Sequence, residues 1–128
     1  MLRYFITGLF LASAVGAHEY RTGAFTIDHP FAFAATGASA EGFVIIVNQG
    51  PADRLIGVTS DYATTLVANG PVAAIDIPAA GAAELIPGGA HILFDGLTEE
   101  WRAGDQIPAT LIFERAGEVR VVFYVEAK

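Results

Sequence analysis

The 128 residues are 53% hydrophobic and carry fourteen acidic against seven basic side chains, with no cysteine and a single methionine, Met1. A formal charge of -7 argues against nucleic acid or an anionic membrane surface as a partner, because a polyanion is held by Lys and Arg that neutralise its phosphates. Without cysteine there is no disulfide, thiolate metal cluster or cysteine nucleophile, and the length supports one domain.

The chain opens with Arg3, an apolar run from Tyr4 to Leu11 broken only by Thr7 and Gly8, and small residues from Ser13 to Ala17. This order predicts a secretory signal peptide, residues 1–17, cut after Ala17. A membrane span needs about 20 consecutive apolar residues, and polar His18, Glu19 and Arg21 arrive too early. The domain is then 18–128, exported, with no membrane attachment after cleavage. A cysteine-free chain suits an oxidising compartment without requiring one, so location rests on the leader.

From Phe25 onward the apolar residues come in runs of four to eight separated by Gly, Pro, Asn and Asp, with no sustained 3.6 period, which predicts an all-β chain. Phe25 to Asp28 reads as a strand with His29 at its exit. Gly42 to Val47 reads as a strand buried on both faces, ended by Asn48-Gln49-Gly50-Pro51, and Arg54 to Val58 follows. Val72 to Ile77, Ala83 to Ile86 and His91 to Phe94 are expected as successive antiparallel strands. Thr98-Glu99-Glu100-Trp101 reads as one N-capped helical turn. Ile107 to Glu114 and Val119 to Glu126 form the terminal hairpin, with Val119, Val121, Phe123 and Val125 on one face. Eight or nine short strands predict a two-sheet Greek-key sandwich, with a barrel as the alternative.

Nothing in the chain sets up catalysis, and no enzyme is expected. There is no Gly-x-Ser-x-Gly elbow, Ser39 and Ser60 read as loop residues, and the adjacent Glu99 and Glu100 diverge. The glycines are spread one per turn and make no phosphate loop. Three histidines remain as transition-metal ligands, each with a plain alternative. His29 reads as a hydrogen-bonded surface group and His91 as a half-buried sheet imidazole beside Leu93. Cleavage after Ala17 would free an α-amine on His18 that chelates Cu(II) together with ring Nδ1, a tetragonal nitrogen site; a frayed terminus is the alternative.

The ordered set His18-Glu19-Tyr20, Ile27-Asp28-His29-Pro30, Ala52 to Val58 with Ser60, Ile77-Pro78-Ala79-x-Gly81, Glu84-Leu85-x-Pro87-Gly88-Gly89-x-His91 and Gly96-Leu97 resembles the periplasmic copper chaperones of the PCu(A)C type. The resemblance runs over nearly the whole mature chain. It implies a cupredoxin-like sandwich, a periplasmic location, copper as the bound metal, and partners among copper-handling or respiratory-oxidase assembly proteins. That family holds Cu(I) in the pattern H-x10-M-x21-H-x-M, whose thioethers are soft donors. His91 stands at its second histidine. Asn69, twenty-two positions earlier, stands at the first methionine, and Leu93 at the second. Tyr62 to Ala68 holds no histidine, and Ala68-Asn69-Gly70-Pro71 reads as a compact turn in a shortened loop.

Three functions follow as expectations. The first is a copper chaperone-family protein with a degraded Cu(I) site whose remnant is His91, so that metal binding is weak, altered or lost. The second is a metal-free module that binds or assembles protein partners. The third is a Cu(II) site built on the His18 amine with His29 or His91. Once Met1 leaves with the leader, only imidazole, amine and carboxylate ligands remain.

Overall fold

A computed structural model describes residues 10–11, 13–14, 19–68 and 74–128. These form β1 (Phe10–Leu11), β2 (Ser13–Ala14), β3 (Glu19–Thr22), β4 (Phe25–Phe33), β5 (Ser39–Asn48), β6 (Asp53–Thr59), β7 (Thr64–Ala68), β8 (Ile75–Ile77), β9 (Gly81–Leu85), β10 (His91–Asp95), β11 (Gln106–Phe113) and β12 (Gly117–Glu126). The expected all-β class is observed. The two layers are one hydrogen-bonded ladder in the order β7-β10-β5-β4-β12-β11-β6-β8. The ladder folds back until β6 lies beside β7 and β8 beside β9, so the sandwich approaches a closed barrel.

Strand alternation explains the core. In β12 the side chains of Val119, Val121, Phe123 and Val125 are buried, as the period of two requires, while Glu118 and Arg120 face solvent. β11 answers with buried Ile107, Ala109, Leu111 and Phe113 in antiparallel register. Phe94 packs edge-on to Trp101 at 5.0 Å and to Phe123 at 5.2 Å between ring centroids. Gly42 and Ala32 lie opposite one another below these rings. A Cβ on Gly42 would meet the Phe94 ring at 2.5 Å, so glycine is what lets the ring lie flat on β5. Phe25 and Phe113 close the other end at 4.7 Å.

Among the described residues two polar side chains, Asn48 and Asp53, are buried, and both are fully engaged. Asn48 donates to the carbonyls of Pro51 and Pro78 and accepts from Gly50 N–H, which is the turn chemistry read at this position. The Asp53 carboxylate accepts from the backbone N–H groups of Arg54, Arg115 and Ala116, tying β6 to the tip of the terminal hairpin.

Three expectations change. Thr98 to Trp101 makes no helical turn. Its backbone is drawn into cross-chain bonds, Thr98 N–H to the Tyr62 carbonyl and Trp101 pairing with Ala35, because burying the indole anchors the segment flat against the sheet. The strands after Val72 do not pair with one another. β8 pairs with β6, while β9 and β10 both lie along β5, at Val44–Asn48 and Ser39–Gly42 respectively. The chain crosses between edges instead of turning back on itself. The first expected strand does not end at Asp28 but continues to Phe33 through a bulge.

Candidate metal centre

That bulge determines where His29 goes. Phe25 and Ile27 point into the core, and unbroken alternation would send residue 29 there too. Pro30 has no N–H for the ladder, and His29 takes a left-handed φ of 48°, which inserts one extra residue and shifts the register between Asp28 and Phe31. Pro30 and Ala32 then become the buried residues, and Asp28, His29 and Phe31 lie toward the outer face. His29 therefore lies within β4 and not at a strand exit.

The outer face carries its own aromatic cluster. Cross-strand register aligns Phe43 of β5 with Phe31 of β4, and Phe31 with Tyr124 of β12. Phe31 contacts Phe43 at 5.1 Å and Phe33 at 5.8 Å, and Phe33 contacts Phe43 at 5.4 Å. An imidazole sits at each end of this shelf. His29 stacks on Phe31 at 5.1 Å, and His91 tilts against Phe43 at 6.5 Å.

Each imidazole has one nitrogen already held. His29 Nε2 lies 2.9 Å from Glu126 Oε2, and since a carboxylate only accepts, the imidazole donates here and its ring orientation is held. His91 Nδ1 lies 3.1 Å from the Gly89 carbonyl, an acceptor only, so His91 carries its lone pair on Nε2. A ring N–H bonded to a carboxylate or a carbonyl is the usual outer shell of a metal-ligating histidine. The His29–Glu126 pair is itself 43% exposed on both sides, so as an ion pair it adds little stability. Glu19 lies opposite Asp28 in the β3–β4 ladder. Tyr20 packs behind this edge and accepts from Val122 N–H at 3.1 Å; burial pushes its phenol above the usual tyrosine range.

Of the expected site residues, His91 is in place at the head of β10, opposite Ala68. Leu93 lies opposite Glu41 and helps line a shallow cavity of about 340 Å³ with Phe33 and Lys128. Its side chain is aliphatic and cannot coordinate. His18, Asn69 and the turn at Gly70-Pro71 lie outside the described residues. His29 reads on sequence as a hydrogen-bonded surface group, and the structure agrees, with Glu126 as its partner. The one sequence signal for that is the His-Pro pair inside an alternating run. Among the described residues no three His, Asp or Glu side chains converge as a ready metal site.

Imidazole nitrogen and carboxylate oxygen are donors of the kind that suits Cu(II) better than Cu(I). Residues 25–125 match the sequence profile of the LpqE-like family, described as lipoprotein LpqE-like. The copper-bound PCuAC domain from PmoF2 is 32% identical and superposes with a TM-score of 0.80, covering 88% of this chain and 100% of that one. The apo PCuAC domain from PmoF1 is 26% identical with a TM-score of 0.80, covering 87% and 100%. The Cu(I) form of DR1885 from Deinococcus radiodurans, 20% identical with a TM-score of 0.58 over 77% of each chain, shares the fold. No curated protein matches the chain.

Proposed function

The chain belongs to the LpqE-like family of PCuAC-type domains, and from that premise we propose that it is an exported copper-carrying protein whose site uses nitrogen and oxygen in place of thioether donors. The leader, residues 1–17, sends it to the periplasm and leaves His18 as the first residue. The 128 residues hold no cysteine that could bear a lipid.

The observation that carries this reading is the outward placing of two imidazoles on the aromatic shelf, with the His29 ring held by Glu126. β3 begins at Glu19 opposite Asp28, which ties the residue after His18 to the residue before His29. The proposed ligands are the α-amine and ring Nδ1 of His18 together with His29. His91, at the other end of the aromatic shelf, is what remains of the methionine-based pattern and is a secondary ligand. Such a site altered toward Cu(II) fits handing copper to copper-handling or oxidase-assembly partners and calls for no catalysis by the chain.

The test is a copper titration on the processed protein, first with Cu(II) and then with Cu(I) against a competing chelator. Tight Cu(II) uptake is expected, weakened by more than tenfold when one residue is added ahead of His18 or when His29→Ala removes the imidazole, and only slightly by His91→Ala. No uptake of either ion would end the reading and leave a protein-binding module on this fold. Equal losses for His91→Ala and His29→Ala would move the centre to the family's motif position.

A further inference from the structure

β12 has two edges, and they are treated differently. Along β11 it is paired continuously from Gly117 to Tyr124. On the other side β4 takes only Tyr124 to Glu126, the Tyr20 hydroxyl takes Val122 N–H, and Val119 and Arg120 are met in parallel register by β1. β1 lies inside the segment read as the leader.

We propose that removal of that segment turns the edge Gly117 to Val121 into a contact between two copies of this chain, with β12 pairing antiparallel to β12 of the second copy about Val119. The proposal rests on the export reading above. An unpaired edge is a template for another strand, and the seat taken by β1 shows that this edge accepts one. The direction of the free groups follows from Val122. Its N–H points to Tyr20 and away from β11, where its partner Pro108 has no N–H to offer. Alternation then aims the N–H and C=O groups of Glu118 and Arg120 outward as well.

The register is set by charge. A two-fold axis at Val119 places Glu118 of each copy opposite Arg120 of the other, so one short strand supplies two opposite-charge pairs in hydrogen-bonded positions. Both side chains are exposed on the outer face, while Val119 and Val121 stay in the core. A parallel pairing like that of β1 cannot be repeated about a two-fold axis, so the copies meet antiparallel.

The experiment uses the full chain expressed in an exporting host, with intact mass reporting cleavage separately from assembly. Light scattering on the processed protein should give twice the mass of one chain, and the unprocessed 128-residue chain should remain single. Arg120→Glu should weaken the dimer about tenfold by setting like charges opposite, and adding Glu118→Arg to it should restore the dimer. In the unprocessed chain Leu11→Pro should free the edge and produce the dimer by itself, so this contact is tested even where cleavage fails. A processed protein that stays single at all concentrations, or a dimer indifferent to the charge swap, overturns the proposal. An exported protein that retains residues 1–17 overturns the export reading alone.

Discussion

β10, β5, β4 and β12 carry an aromatic cluster on each face, and the two clusters differ in what surrounds them. On the inner face Phe94, Trp101 and Phe123 pack over Gly42 and Ala32. Even the one polar atom there, the Trp101 indole nitrogen, is buried without an acceptor among the described residues. On the outer face Phe31, Phe33 and Phe43 pack as closely, but His29 and His91 rim the cluster and Glu126 holds one of them. The inner cluster has nothing to offer a ligand, and its worth is burial. The outer one is half open and rimmed by imidazoles on a rigid base, which is how a scaffold orders a binding site.

The comparison breaks most visibly at its centres. Phe94→Ala should cost about 3–5 kcal/mol, since a fully buried ring leaves a cavity between Gly42 and Trp101. Copper affinity of the folded protein should stay unchanged. Gly42→Ala should cost about 1–3 kcal/mol, because Phe94 cannot move off the added methyl without disturbing Trp101 and Phe123. Chemical denaturation measures both, and a neutral Gly42→Ala would show that the inner cluster is loosely packed.

Phe31→Ala sharpens the contrast in the other direction. A loss of about 1–2 kcal/mol in stability is expected for this half-buried ring, together with weaker copper binding as His29 loses its stacking surface. Titration and denaturation on the same protein would separate the two. If Phe31→Ala lowered stability as much as Phe94→Ala and left copper untouched, the faces would not differ in kind.

The smallest effect concerns Tyr20, which borders the outer cluster. Desolvation raises its phenol above the ordinary 10.0 despite the Val122 hydrogen bond, with Tyr124 adding to the rise. The unfolded chain therefore ionises Tyr20 more readily than the fold does. Stability from this group is present below about pH 10 and is lost as pH climbs toward the raised value. Tyr20→Phe should cost about 0.5–1.5 kcal/mol at neutral pH and remove part of the alkaline loss. Parallel alkaline melting curves for the two proteins would count against it.

Much of the fold was legible in local pattern. The terminal hairpin is visible because Val119, Val121, Phe123 and Val125 alternate without interruption and Arg115 to Glu118 cannot continue a strand. The turn at Asn48 is visible because its side chain bonds within three residues. The pairing of β8, β9 and β10 was not, since which edge a short strand joins depends on partners far along the chain. The Trp101 segment misled for a related reason: a local capping signal lost to burial of a large ring.

The amino-acid sequence by itself determined the class of strands and the chemistry of any metal site. With Met1 the one methionine and no cysteine, sulfur is absent from residues 18–128. Where each imidazole stands was decided by tertiary structure. One extra residue at His29-Pro30 reverses the face of everything that follows in β4, because side chains in a strand alternate with a period of two. That shift takes His29 out of the core and sets it on Phe31 against Glu126. The carboxylate comes from the far end of the chain through the parallel pairing of β4 with β12, a contact no local pattern encodes.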